Sequence, residues 1–147
     1  MGILLNPDQY FMQKAIALAE KALQEDEVPV GALIVSDTKI IAQSYNLVER
    51  LHDPTAHAEM QTITAACNYF GSKYLPDCTI YVTLEPCTMC ATAIFWAQIG
   101  RLVYGASDMK LGYSRFNNIL HPKTEVTSGI ETEKCAALLK DFFKGKR

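Results

Sequence analysis

Apolar residues recur along this chain with two periods, and the period switches from one stretch to the next. Phe11, Ala15, Leu18 and Ala22 fall at helical spacing, while Glu20, Lys21 and Gln24 take other positions on the wheel. Asn6 offers a capping oxygen, and Pro7 suits the first turn because its missing N–H would go unpaired there anyway. Gln9 is placed to reach back as in a capping box. The predicted helix ends near residues 25–27, since Pro29 disfavours helix in the residue before it.

Two runs rich in β-branched residues follow, "VPVGALIVSD" and "KIIAQSYN", around a short Ser36–Lys39 turn. They predict an antiparallel hairpin. A second helix is predicted over about 55–69, a strand over 78–84, a third helix over about 87–98 and a strand over 101–106. Residues 107–123 contain Gly112, Asn117, Asn118 and Pro122 and predict mostly irregular backbone. A short strand around Val126 and an amphipathic helix over about 132–143 complete the pattern. Strands alternating with helices imply an α/β protein, one sheet with helices on both faces. With no repeat, low-complexity tract or linker, the expectation is a single domain over residues 1–147.

Composition acts mainly by exclusion. The chain has 147 residues, 49% apolar and 20% charged, which is ordinary for a globular domain with a sizeable core. A net charge of −2 gives no overall positive field for nucleic acid or acidic membrane, although a local patch is compatible with it. The start, "MGILLNPDQY", lacks the basic region of a signal peptide, and Asn6 stands where myristoylation would want Ser or Thr. No apolar run approaches the roughly 20 residues of a membrane span. Five Cys without an export signal argue against a disulfide framework, so the expected setting is cytoplasmic, with thiols free to bind metal.

Two short stretches carry the candidate chemistry. "PTAHAEMQTI" (54–63) sets His57 and Glu59 at the front of the second helix, and "EPCTMC" (85–90) sets Cys87 and Cys90 behind Pro86. Cys87 and Cys90, three apart in the first turn of a helix, can aim both thiols at one point. The helix N-terminus favours the thiolate, the form that binds metal. A Cys-x-x-Cys alone also fits a redox pair or half of a structural zinc site. A redox pair has no need of His-x-Glu, and a structural zinc site wants four Cys or His ligands, of which only His57 joins the two thiols. His52 and His121 lie in loops, Cys67 and Cys78 lack a ligand-like spacing, and Cys135 reads as a small core residue. Three ligands with an open fourth position is the pattern of a catalytic zinc. Glu59, beside the metal without binding it, is then the residue to carry protons.

These residues resemble the zinc-dependent nucleobase deaminases, whose signature is "HAE" followed by "PCxxC". "EVPVGA" (27–32), Asn46, "HDPTAHAE" (52–59), "YVTLEPCTMC" (81–90), "YGASD" (104–108) and "CAALLKDFF" (135–143) together resemble the bacterial tRNA-specific adenosine deaminases, over roughly Phe11 to Phe143. The resemblance implies a cytidine deaminase-like α/β/α sandwich with a mixed five-stranded sheet, one Zn2+ per subunit and a homodimer. The implied activity is hydrolytic conversion of adenosine to inosine at the wobble position of a tRNA anticodon. His57, Cys87 and Cys90 would hold zinc, and Glu59 would shuttle the proton. Asn46 would contact the flipped-out base, and Asp108, Lys110 and the Phe142–Phe143 pair match positions near the RNA-binding rim. The zinc motifs identify the superfamily more sharply than the substrate. A deaminase of a free base or nucleoside such as guanine or cytosine is the alternative, and "VPVGA" and the "CAALL-DFF" ending favour the tRNA group. The tail from Lys134 to Arg147 carries Lys134, Lys140, Lys144, Lys146 and Arg147 against Asp141 alone, a patch suited to phosphate or to a plain solvated face. Trp96, at helical spacing from Thr92 and Ala93, reads as core or interface.

Overall fold

A computed structural model describes residues 6–146; residues 1–5 and Arg147 lie outside it. The elements run α1 (Pro7–Gln24), β1 (Gly31–Ser36), β2 (Lys39–Tyr45), α2 (Val48–Leu51), α3 (Ala58–Phe70), β3 (Thr79–Leu84), α4 (Thr88–Trp96), β4 (Arg101–Ala106), a 3-10 turn (Tyr113–Arg115), β5 (Glu125–Thr127) and α5 (Thr132–Lys144). Asn6 caps α1 as expected, its side-chain oxygen accepting the Asp8 N–H at 2.7 Å.

The strands form one sheet in the order β2-β1-β3-β4-β5. β1 pairs antiparallel with β2 and β3, while β3–β4 and β4–β5 are parallel. This is the mixed five-stranded sheet the resemblance implied. β1 and β4 are buried along nearly their whole length because both faces are covered. Ala32, Ile34, Ile80, Val82, Leu102 and Tyr104 face one way, against Ile63 and Ala66 of α3 and Ile94 of α4. Leu33, Val35, Tyr81 and Val103 face the other way, against Phe11, Met12 and Ala15 of α1 and Cys135 of α5. Adjacent strand residues thus serve opposite cores, which makes the three layers. Gly31 lets α1 lie directly on β1: a Cβ there would fall 2.2 Å from the Ala15 carbonyl oxygen.

Two helix starts and one added helix, all at loops entering the site, differ from the sequence expectation. α3 begins at Ala58, not near 55, because Asp53 accepts the Thr55 N–H at 2.8 Å and its hydroxyl at 2.7 Å. That local turn absorbs Pro54 and Thr55 and leaves His57 extended, as the N-cap. Cys87 is likewise the N-cap of α4, so Pro86 precedes the helix rather than opening it. The four-residue α2 was not expected. The buried Glu27 carboxylate holds it, accepting the Glu49 and Arg50 N–H groups at 3.0 and 2.8 Å.

Candidate metal centre and active site

The parallel strands β3 and β4 end side by side, and the N-termini of α3 and α4 start just beyond them. His57 caps α3 and Cys87 caps α4, with Cys90 one turn further in and fully buried. The Sγ atoms of Cys87 and Cys90 lie 3.7 and 3.5 Å from His57 Nδ1. Tetrahedral zinc, with bonds of about 2.3 Å to sulfur and about 2.0–2.1 Å to nitrogen, sets S and N about 3.6 Å apart. The donor set fits that ion in both element type and spacing, and all three donor atoms lie within 4.8 Å of one another. The hydrogen bond from Cys90, followed by His57, pulls the Cys87 thiol down to about 4, which keeps a thiolate ready, while Cys90 is pushed up by the same bond and by burial. His57 is shifted upward, first by its bond to Cys87.

Glu59 sits in the first turn of α3 and is 4% exposed. Burial pushes its carboxyl up to about 7, reinforced by the nearby Cys87. Because His57 is extended and not helical, it and Glu59 open onto the same cleft despite being two residues apart.

That cleft has a volume of about 540 Å³. Asn46, His57, Glu59 and Cys87 line it together with Asp108, Lys110 and Phe143. Residues proposed from distant motifs therefore share one space. Asn46 is buried; its amide donates to the Val28 carbonyl and its oxygen accepts the Val48 N–H, both at 3.4 Å. Asp108 is partly committed within its own loop, one carboxylate oxygen accepting the Lys110 and Leu111 N–H groups at 3.1 and 3.0 Å. Phe142 stands apart. It lines a neighbouring depression with Glu25, Asp26 and Arg50, beneath the Lys146 ammonium, which pairs with Asp26 at 2.7 Å. The two phenylalanines point to different sites because neighbours on a helix project about 100° apart.

Met109, Leu111 and Glu85 line the cleft and had no role assigned from the sequence. Met109 and Leu111 are 85% and 62% exposed at its mouth, an apolar rim that an irregular segment gives no periodicity to reveal. Glu85 is 3% exposed and accepts backbone N–H groups from Asp108 and Ser114. Its position beside "PCTMC" was the available signal, but its partners lie more than 20 residues away. Cys135 is buried as expected, whereas Trp96 is 73% exposed and so is not core.

Residues 5–106 match the family model for the cytidine and deoxycytidylate deaminase zinc-binding region. The tRNA-specific adenosine deaminase of Agrobacterium fabrum is 45% identical over 144 residues, covering 94% of this chain and 95% of its own. A solved structure from studies of A-to-I editing by tRNA:A34 deaminases at the wobble position of transfer RNA is 43% identical. It superposes with a TM-score of 0.83 and covers 88% of this chain and 99% of that one. The guanine deaminase of Bacillus subtilis is 40% identical with a TM-score of 0.65, covering 67% of this chain and 64% of that one. The motif resemblance is borne out along nearly the whole length, and the chain belongs to the zinc-dependent cytidine and deoxycytidylate deaminase family, with tRNA-specific adenosine deaminases as full-length relatives.

Proposed function

We propose that this enzyme deaminates adenosine to inosine at the wobble position of a tRNA anticodon. One observation carries the choice of substrate: the tRNA-specific adenosine deaminase likeness holds 45% identity over 94% of the chain, while the Bacillus subtilis guanine deaminase covers 67% of it and a guanine deaminase that covers 96% is only 21% identical. The roles follow the geometry. His57, Cys87 and Cys90 would hold one Zn2+, which when bound would lower the pKa of a water toward neutrality. Glu59 takes the first proton of the attacking water and gives it to ring N1 as the water oxygen bonds to C6. The same carboxyl then takes the proton of the new C6 hydroxyl and passes it to the amino nitrogen; C6=O forms, the C6–N bond breaks and ammonia leaves. A carboxyl near pH 7 is matched to a step that needs it as base and then as acid. Asn46 contacts the base, and Asp108, Lys110 and Phe143 grip the strand at the mouth. A base inside a duplex cannot enter such a cleft, so the substrate presents it unstacked, as an anticodon loop does.

The remaining features of the reading are a single domain over 1–147, a cytoplasmic setting and a homodimer. All five cysteines are free, which suits a reducing compartment. Among the described residues no helix is long and apolar enough to cross a membrane. α4, "TMCATAIFW", has no charged residue, yet Trp96 on it faces solvent. A helix without charge that leaves a tryptophan in solvent calls for cover on that side, and a second copy supplies it. Sedimentation of Trp96→Glu as a monomer beside a dimeric parent checks this.

The deciding test incubates the protein with an anticodon stem-loop and, in parallel, with guanine and cytosine. The expected result is inosine at the wobble position. Equal or greater ammonia release from the free bases, without RNA product, transfers the assignment to a small-molecule deaminase.

A further inference from the structure

We propose that Glu85 is a positioning residue that fastens the 108–114 segment as one wall of the cleft and so sets how tightly substrate is held. Its two oxygens reach both ends of that segment at once. Oε1 accepts the Asp108 N–H at 3.0 Å, and Oε2 accepts the Ser114 N–H at 2.9 Å. Between those anchors lie Met109, Lys110 and Leu111, which with Asp108 line the cleft. Tyr113 packs against the core at one end of the segment, but Met109, Lys110 and Leu111 turn outward with few apolar contacts to hold them, so the buried carboxylate that ties both ends sets the shape of this stretch.

Two further contacts support this role. Gly112 packs directly on the carboxylate, where a Cβ would fall 2.3 Å from Glu85 Cδ and 2.4 Å from Oε2. Position 112 therefore admits only glycine while Glu85 keeps its place. The segment is also tied to the start of α4, since Tyr113 donates its N–H to the Pro86 carbonyl at 3.0 Å and Gly112 forms a β-bridge with Cys87. Loop shape is thus referred to the metal end of the cleft through residues adjacent to Glu85.

Glu85→Gln tests the clip, because an amide keeps one acceptor and turns the other into a donor facing an N–H. The inference rests on the proposed substrate only in its kinetic arm. Hydrogen exchange without substrate reads the loop directly, and zinc content reads the metal site. The expected result is one retained equivalent of zinc, exchange at Asp108 and Ser114 faster by at least about tenfold, and a KM for the stem-loop raised about tenfold with kcat within about twofold. Gly112→Ala, which leaves the carboxylate intact and pushes the loop from the other side, should reproduce both changes; it decides the matter if Glu85→Gln does not fold. Unchanged exchange in both variants overturns the proposal. So does loss of zinc from Glu85→Gln, or a fall in kcat at constant KM. A parent protein that leaves the stem-loop untouched refutes the substrate assignment instead, and exchange still decides the role of Glu85.

Discussion

Asp8 and Glu59 are carboxylates drawn into the protein at opposite ends of the same parallel strands, and their surroundings differ in one respect. Asp8 meets Arg101, the first residue of β4, through two hydrogen bonds of 2.8 and 2.7 Å, and accepts the Tyr81 hydroxyl at 2.8 Å. Arg101 also donates to Thr127 Oγ1 at 2.9 Å, so the cluster stitches α1 to β3, β4 and β5. The Arg101 hydrogen bonds hold the Asp8 carboxyl below the usual carboxylate range. Glu59, at the far end of those strands, forms no salt bridge to Lys or Arg among the described residues, and burial raises it to about 7. A compensated carboxylate is fixed as a charge and serves stability. An uncompensated one exchanges its proton near neutrality and serves chemistry.

Substitution separates the two ends, and the largest effect belongs to Glu59. Glu59→Ala should keep a full equivalent of zinc while turnover falls by about 10²–10⁴ or more, read by inosine formation beside elemental analysis. Loss of zinc in that variant, with Glu59→Gln still active, would make Glu59 a ligand and end the contrast. Cys87→Ala reduces the donor set to two, so zinc content and melting temperature should fall together; a full retained equivalent would mean that another residue binds the metal.

The opposite end should behave in reverse. Asp8→Asn should cost about 2 kcal/mol, lowering the melting temperature by roughly 4–8 °C while activity at 25 °C stays within about twofold. Its pH dependence has a fixed sign. Because folding depresses the Asp8 pKa, its contribution is fully present above about pH 4 and is lost as pH falls through the folded value. Parent and variant should therefore converge in acid, and a gap that widened there would contradict the pairing.

The smallest effect lies within the catalytic end. Phe143→Ala should raise KM for an anticodon stem-loop about tenfold, in line with one lost stacking contact. Phe142→Ala, whose ring lies in the neighbouring depression, should leave KM within about twofold.

What the sequence could show was whatever short spacing encodes. The hairpin, β4 and α5 follow from periodicity that local sterics and one-sided burial impose on consecutive residues. His57, Glu59, Cys87 and Cys90 were readable because metal ligands cluster in short motifs at helix starts. Even there, the loop turn at Asp53 decided that His57 stands outside α3, and this is what lets it share a cleft with Glu59.

Pairings between distant residues belonged to the tertiary structure alone. Asp8 and Arg101 are 93 positions apart, and Glu85 stands 23 from Asp108 and 29 from Ser114. No local periodicity links such positions. A buried charge takes whichever donor the packed sheet brings within reach, so its partner is settled only when strands from different parts of the chain lie side by side. The same holds for Phe142 and Phe143: composition supplied two aromatics, and the angle at which α5 lies on the sheet decided which of them faces the cleft.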